Sequence, residues 1–362
     1  MSLAPLQERD FSVGLARLKD HLLNHAELLF LRVLAAAPGH PGAQRYLGIT
    51  LFKMGRKEEA LDLLRRASEL DPAAAGPDLD AALHGAAFST DHGEHAFRVV
   101  DYGYRSSVRY GAGRPQHPQL ATLIGEGREH YRQVLAAIGA MREDFASVPL
   151  GGVASDPAPF WLNPWFPPLD GMAMTHMLRS GDPARFIEIG SGVSTKFARR
   201  AVSLYGLRTH LTSIDPQPRN EIDALCDEVL RQPLEDCPPS VFEALEPGDI
   251  LFLDSSHRSF QGSDVTAFFL DILPRVKPGV VIHIHDIYLP EDYISGHVGR
   301  LWNEQYLLAT ALLFGGQAFE ILFPCWYVGQ DPELFALAKA PFQGGPLENL
   351  HPYGASFWLR KT

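Results

Sequence analysis

Glu188-Ile189-Gly190-Ser191-Gly192 places a carboxylate two residues ahead of a glycine pair. Glycines at such a turn let backbone pass close to a ligand, because no Cβ blocks the approach. A carboxylate there would repel a pyrophosphate. It suits a cationic ligand such as the ammonium of an amino acid. A dinucleotide fingerprint would need glycine at 195, where Thr195 stands, and no Lys-Ser/Thr follows at phosphate-loop spacing. Further along, Asp215, Asp254 and Asp286 each end an apolar run, His257 lies three residues beyond Asp254, and His285 directly precedes Asp286. Carboxylates brought together repel one another unless a cation or a proton relieves them, and a divalent metal does so economically.

These residues need elements to position them. Phe186-Ile187-Glu188-Ile189 reads as a strand running into the glycine turn, with a helix from Lys196 to Leu204. Leu211–Ile214 ends at Asp215, a third strand lies near Val229 to Leu234, Ile250–Leu253 ends at Asp254, and Val280–His285 ends at Asp286. Strands alternating with helices predict an α/β fold with a parallel, Rossmann-like sheet, and such sheets bind ligands at the carboxyl ends of their strands. His283 lies inside a strand covered on both faces and reads as a core histidine with a hydrogen-bond partner. The expected final strand pair is Phe319 to Tyr327.

The run Glu188-x-Gly190-x-Gly192-x-Ser194-Thr195, with its ordered acids, resembles the first motif of class I S-adenosylmethionine-dependent methyltransferases over roughly residues 155–340. The resemblance implies S-adenosylmethionine as cofactor, held by Glu188, Gly190, Ser191 and Gly192, with Asp215 on the ribose hydroxyls. The acids after the fourth and fifth strands are similar to those of metal-dependent O-methyltransferases, in the macrolide-sugar and catechol-type branches. That similarity implies a divalent ion on Asp254, His285 and Asp286, and His257 as the base that deprotonates an acceptor hydroxyl. In those branches the pair after the fifth strand is usually Glu-Asp or Asp-Asn. His285-Asp286 departs from this, and an imidazole ligand favours a later transition metal over Mg²⁺ or leaves the site without an ion.

Towards the N-terminus, residues 12–72 read as helices. Leu47-Gly48, Gly55, Ala60, Ala67 and Pro72 fall at the small, turn and breaker positions of one tetratricopeptide repeat, which the segment resembles. Ala26 to Pro38 reads as the second helix of a preceding degenerate repeat. About one and a half repeats cannot bury their faces alone, which predicts docking on the catalytic domain or a homodimer through the helical region. Residues 73–116 read as a linker, in which Val100–Arg105 with Arg109-Tyr110-Gly111 forms either an active-site loop or a packed one. Residues 118–145 read as one helix. The aromatic stretch Trp161-Leu162-Asn163-Pro164-Trp165-Phe166 either walls a pocket or covers the sheet. A helix runs from Asp170 to Arg179, and another begins around Trp302-Asn303-Glu304-Gln305-Tyr306. Tyr288, Tyr293 and Trp302 are candidates for acceptor contact. The expected regions are 1–75 helical, 76–155 linker and docking helix, and 156–362 methyltransferase domain.

Composition narrows the class. A chain of 362 residues with 46% hydrophobic residues can build two domains with a large core. A net charge of −11 argues against a nucleic-acid binder. No uncharged apolar run of 18 residues predicts a membrane span. Three cysteines and an N-terminus without a basic region and apolar run predict a cytoplasmic protein without a disulfide framework. The expected activity is methyl transfer from S-adenosylmethionine to a hydroxyl of a sugar or secondary metabolite. A nitrogen acceptor, a metal-dependent oxygenase on the same fold, and a binding module without turnover stay open.

Overall fold

A computed structural model describes residues 5–19, 22–72, 75, 78–79, 107–218, 221–298, 300–345 and 347–362. Val100 to Arg105 of the expected loop lie outside the described residues. The chain divides into two units, residues 1–116 with 291–302, and residues 117–290 with 303–362.

Among the described residues 5–72 of the first unit, four helices follow in order: α1 Pro5–Lys19, α2 Leu23–Ala36, α3 Pro41–Lys53 and α4 Lys57–Leu70. Pro41 opens α3 at a position that needs no N–H donor, and His40 Nδ1 caps it by accepting from the Ala43 N–H at 3.0 Å. Small residues let α3 and α4 close on each other. Ala60 and Ala67 are fully buried, and a Cβ on Gly48 would lie 2.8 Å from the Leu64 side chain. Phe30, Val33 and Leu64 are also fully buried, each worth about 1.5–3 kcal/mol. α1 pairs with α2, so the first hairpin has both helices and not only the second. Residues 291–302 join this unit. Asp292 accepts from the backbone N–H groups of Arg109 and Tyr110, at 2.6 and 3.0 Å. Tyr293 and Trp302 flank His297 here, which stacks on Trp302 with ring centroids 4.0 Å apart.

The second unit is a seven-stranded sheet of order β3-β2-β1-β4-β5-β7-β6. The strands are β1 Arg185–Ile189, β2 His210–Ile214, β3 Glu228–Leu230, β4 Ile250–Leu253, β5 Val281–Ile284, β6 Phe319–Pro324 and β7 Phe357–Lys361. β1 to β5 pair in parallel, and β7 lies antiparallel to both neighbours. A parallel sheet must be covered on both faces, which is why β4 is apolar at every position and fully buried. The chain is therefore an α/β protein with a Rossmann-like sheet and an N-terminal tetratricopeptide-like helical region. Among the described residues no helix is long and apolar enough to cross a membrane.

Several expected elements differ. β3 stops at Leu230 rather than running to Leu234, because Pro233 follows and a short 3-10 turn takes Leu234–Asp236. The stretch 118–145 forms three helices, Pro118–Gly125, Arg128–Gly139 and Arg142–Ala146. At the first break the Tyr131 hydroxyl donates to the Ile124 carbonyl, and any Cβ on Gly127 would collide with that ring. Phe319 to Tyr327 supplies one strand, not two. Helix Cys325–Gln330 starts after Pro324, and the partner strand is β7, more than thirty residues on. Trp161 and Phe166 are buried against Phe197, so these aromatics cover the sheet.

The order of strands reverses between β1 and β4, and the two ends meet closely there. Asp254 N–H donates to the Ile189 carbonyl at 2.8 Å, and Gly190 has φ of +77°. A Cβ on Gly190 would collide with the Asp254 carbonyl oxygen. Gly190→Ala is expected to destabilise the chain by roughly 2–5 kcal/mol, from overpacking and a left-handed L-residue. Urea unfolding followed by circular dichroism measures the loss.

Candidate active site

Two groups of side chains lie at the carboxyl ends of the central strands. The first is built on the β1 turn. Glu188 is 1% exposed, and its Oε2 accepts from the Thr195 hydroxyl at 2.5 Å. That hydroxyl oxygen in turn accepts from the Gly192 N–H at 3.0 Å, so one threonine ties the carboxylate to the start of helix Val193–Tyr205. Glu188 Oε1 is buried with no hydrogen-bond partner. Burial raises the Glu188 carboxyl to about 8, against the opposing pull of the Ser194 and Thr195 hydroxyls. Ser191 N–H donates to Asp215 Oδ2 at 2.9 Å, and its hydroxyl pairs with that of Ser213 at 2.7 Å. Asp215 Oδ1 accepts from the Gln217 N–H at 2.8 Å, which leaves both carboxylate oxygens with spare acceptor capacity. The structure thus brings Glu188, Gly190, Ser191, Gly192 and Asp215 to one turn.

The second group joins the ends of β4 and β5. His257 Nε2 lies 3.3 Å from Asp254 Oδ1 and 3.5 Å from Asp286 Oδ2. His285 Nδ1 lies 3.7 and 3.8 Å from the same two oxygens. One donor atom each from Asp254, His257 and Asp286 fall within 4.8 Å of one another, a set that could hold a metal ion. The far side of each ring meets a buried acid. His257 Nδ1 pairs with Glu304 Oε1, and His285 Nε2 with Asp170 Oδ2 at 3.2 Å. Glu304 also accepts from the Ser255 hydroxyl at 3.0 Å, and Asp170 from the backbone N–H groups of Ala355 and Ser356. The loop between Asp254 and His257 is held at Ser256, whose N–H and hydroxyl both donate to Asp264. His257 and Asp286 have φ of +61° and +56°, a region that costs an L-residue energy and that clusters at functional sites.

The charges are strongly coupled. Burial pushes His257 down, but Glu304, Asp254 and Asp286 outweigh it and raise the ring to about 10. His285 is likewise raised well above its usual value, burial being overcome by Asp286 and Asp254. Burial would push Asp254 up, yet both imidazoles hold it well below the usual carboxylate range. Asp286 is raised, chiefly by burial. His283 stands apart from this group. Its Nε2 pairs with the Ser356 hydroxyl at 2.6 Å, its ring stacks on Phe252 at 4.0 Å, and burial keeps it neutral.

Asp170 and Glu304 were not singled out from the sequence. Glu304 opens a helix, where an acid reads as a complement to the helix dipole. Asp170 also lies in a first helical turn. Of the expected acceptor-side residues, only Tyr288 belongs to this unit, with its hydroxyl 3.5 Å from Asp286 Oδ1.

Residues 187–287 match the family model of a methyltransferase domain. Residues 187–287 are thus similar to a methyltransferase domain. Residues 41–74 match that of a tetratricopeptide repeat. No curated protein matches the chain. Among solved structures, a mutant O-GlcNAc transferase of Thermobaculum terrenum is similar at 15% identity with a TM-score of 0.22. The match covers 71% of this chain and 47% of that one, so this chain spans under half of its length. A likeness of that size carries no conclusion about fold or activity. The methyltransferase domain implies S-adenosylmethionine as methyl donor, and its matched span contains both groups of strand-end residues except Asp170 and Glu304.

The Glu188 carboxyl gives a pH signature. Between about 4.5 and 8 the folded chain keeps a proton that the unfolded chain has lost. Its stabilising contribution is therefore present below 4.5 and lost as pH rises through 8. Glu188→Gln is expected to flatten that decline, by at most ~1.4 kcal/mol per pH unit. Urea unfolding of both proteins between pH 5 and 8.5 checks this.

Proposed function

We propose that this protein transfers the methyl group of S-adenosylmethionine to a hydroxyl of a small molecule, a sugar or secondary metabolite, with the aid of a divalent ion. The observation that supports it most is the buried Glu188 carboxylate. One of its oxygens has no hydrogen-bond partner among the described residues, it lies beside the Gly190 turn, and no salt bridge to it is found among those residues. A buried acid of that kind costs stability unless a cation meets it. The ammonium of the methionine moiety fits that role, and Asp215 has the free acceptor capacity that ribose hydroxyls require. The backbone from Gly190 to Gly192 would pass beside the methionine part.

When bound, S-adenosylmethionine supplies an electrophilic methyl group. The chain's own part is to hold donor and acceptor in line, which can account for much of a barrier reduction. The reading for oxygen rests on the neighbouring group. Asp254, His285 and Asp286 would hold the ion, whose chemistry is to acidify a hydroxyl. His285 Nδ1, buried and without a hydrogen-bond partner, fits such an ion. The Tyr288 hydroxyl, 3.5 Å from Asp286 Oδ1, would be the side chain that meets an acceptor beside the ion.

Calorimetric titration with S-adenosylhomocysteine is expected to show binding, and Glu188→Gln to weaken it by roughly 1.5–3 kcal/mol, the range for a hydrogen bond to a charged group. Binding of NAD in its place would overturn the cofactor. Incubation with S-adenosylmethionine and a panel of sugars, phenols and amines, read by mass spectrometry, is expected to release S-adenosylhomocysteine with an O-methylated product. N-methylated product would move the acceptor to nitrogen. Consumption of oxygen and 2-oxoglutarate without S-adenosylhomocysteine would favour an oxygenase.

A further inference from the structure

We propose that His257 is a metal ligand rather than a base. It would complete a two-histidine, two-carboxylate set with Asp254, Asp286 and His285 for one late first-row divalent ion, with Glu304 and Asp170 as positioning residues. This rests on the ion-assisted part of the reading above and replaces the base role expected for His257.

The distances carry it. His257 Nε2 and His285 Nδ1 each face the same two oxygens, Asp254 Oδ1 and Asp286 Oδ2, at 3.3, 3.5, 3.7 and 3.8 Å. A charged N–H donating to a carboxylate closes to about 2.7–2.9 Å. Ligands around an ion stand further apart. With bonds of about 2.1 Å, tetrahedral neighbours are about 3.4 Å from each other. The two separations from His257 match donors sharing a cation, and with Asp254 and Asp286 it forms a set of donor atoms all within 4.8 Å of one another; those from His285 are a few tenths of an ångström longer.

A second observation is independent of the acids. His285 is 2% exposed, and its Nδ1 has no hydrogen-bond partner while aimed at both carboxylates. A buried ring nitrogen in that state lacks a partner, and a bound cation would supply one in place of the proton. A third is the far side of each ring. A ligating imidazole almost always donates its other N–H to a carboxylate or carbonyl, which fixes the tautomer and leaves the near nitrogen as a donor to metal. Glu304 does this for His257 and Asp170 for His285. Both acids are fully buried and are anchored in turn, Glu304 by Ser255 and Asp170 by the Ala355 and Ser356 backbone. A base would need its near nitrogen open to the acceptor, whereas His257 Nε2 is enclosed by two carboxylates. Two imidazoles favour ions from Mn²⁺ to Zn²⁺ over Mg²⁺, which prefers oxygen and water.

The test uses the full chain, freed of metal by chelation and titrated with Co²⁺ by visible absorption and calorimetry, with S-adenosylhomocysteine affinity as a folding control. One Co²⁺ per chain is expected. His257→Ala and His285→Ala should each weaken it at least 100-fold, and Glu304→Ala by about 10–100-fold. Glu304→Gln, which still offers a carbonyl oxygen, should recover part of that loss. S-adenosylhomocysteine affinity should stay within about twofold in all. Equal Co²⁺ affinity in His257→Ala, with loss in His285→Ala, would overturn the ligand role of His257 and leave an ion on Asp254, His285 and Asp286. No Co²⁺, Mn²⁺ or Zn²⁺ binding by the wild type would overturn both, with methyl transfer still judged by its own assay. Pulsed electron paramagnetic resonance of the Cu²⁺-loaded wild type decides the count without any variant. Two coordinated imidazoles are expected, and one or none would overturn the proposal.

Discussion

Asp254 holds the two halves of the site together. Its N–H and carbonyl form the contact with the end of β1, where the carbonyl lies so close to Gly190 that no side chain fits. Its carboxylate points the other way, to His257 and His285. A single residue thus sets the shape of the glycine turn through its backbone and gathers the polar cluster through its side chain. The parallel pairing of β4 with β1 and β5 makes this geometry unavoidable, since it brings all three strand ends to one rim. That rim is where the sheet reverses its order and where a ligand finds room.

The rim also concentrates cost. Glu188, Asp170 and Glu304 are carboxylates almost wholly removed from water. Asp170 and Glu304 are satisfied by imidazole, hydroxyl and backbone donors. Glu188 Oε1 has no hydrogen-bond partner among the described residues, so a cation that met it would offset part of that cost. The two histidines show a different economy. Each is sandwiched between a fully buried acid and the Asp254–Asp286 pair, which fixes the ring orientation before any ligand comes. Left-handed backbone at His257 and Asp286 belongs to the same pattern, in which local strain is accepted to aim side chains.

Much of this was legible in the sequence. β1, β2, β4 and β5 are short runs rich in branched and apolar residues that end in an acid or a glycine turn, and pattern and turn chemistry agree on their type. The tetratricopeptide-like helices were legible through Gly48, Ala60 and Ala67, whose smallness has a packing purpose. Three things were not. Breaks in the stretch 118–145 depend on Tyr131 reaching back to Ile124, a contact with no periodic signature. β7 lies far along the chain from its partner β6, with helices between them. Glu304 and Asp170 resemble ordinary first-turn helix acids, and only the fold reveals the histidines behind them. The motif reading assigned His257 by its distance from Asp254, but its chemistry depends on neighbours that come from elsewhere in the chain.

Anomalous diffraction from crystals grown with S-adenosylhomocysteine and Co²⁺ tests the central claim most directly. The claim is that Asp254 separates a donor turn from an ion site. The account predicts the amino acid group of the ligand at Glu188, its ribose at Asp215, and one anomalous peak enclosed by Asp254, His257, His285 and Asp286. A ligand bound away from the Gly190 turn, or the absence of any peak within that cluster, would contradict it.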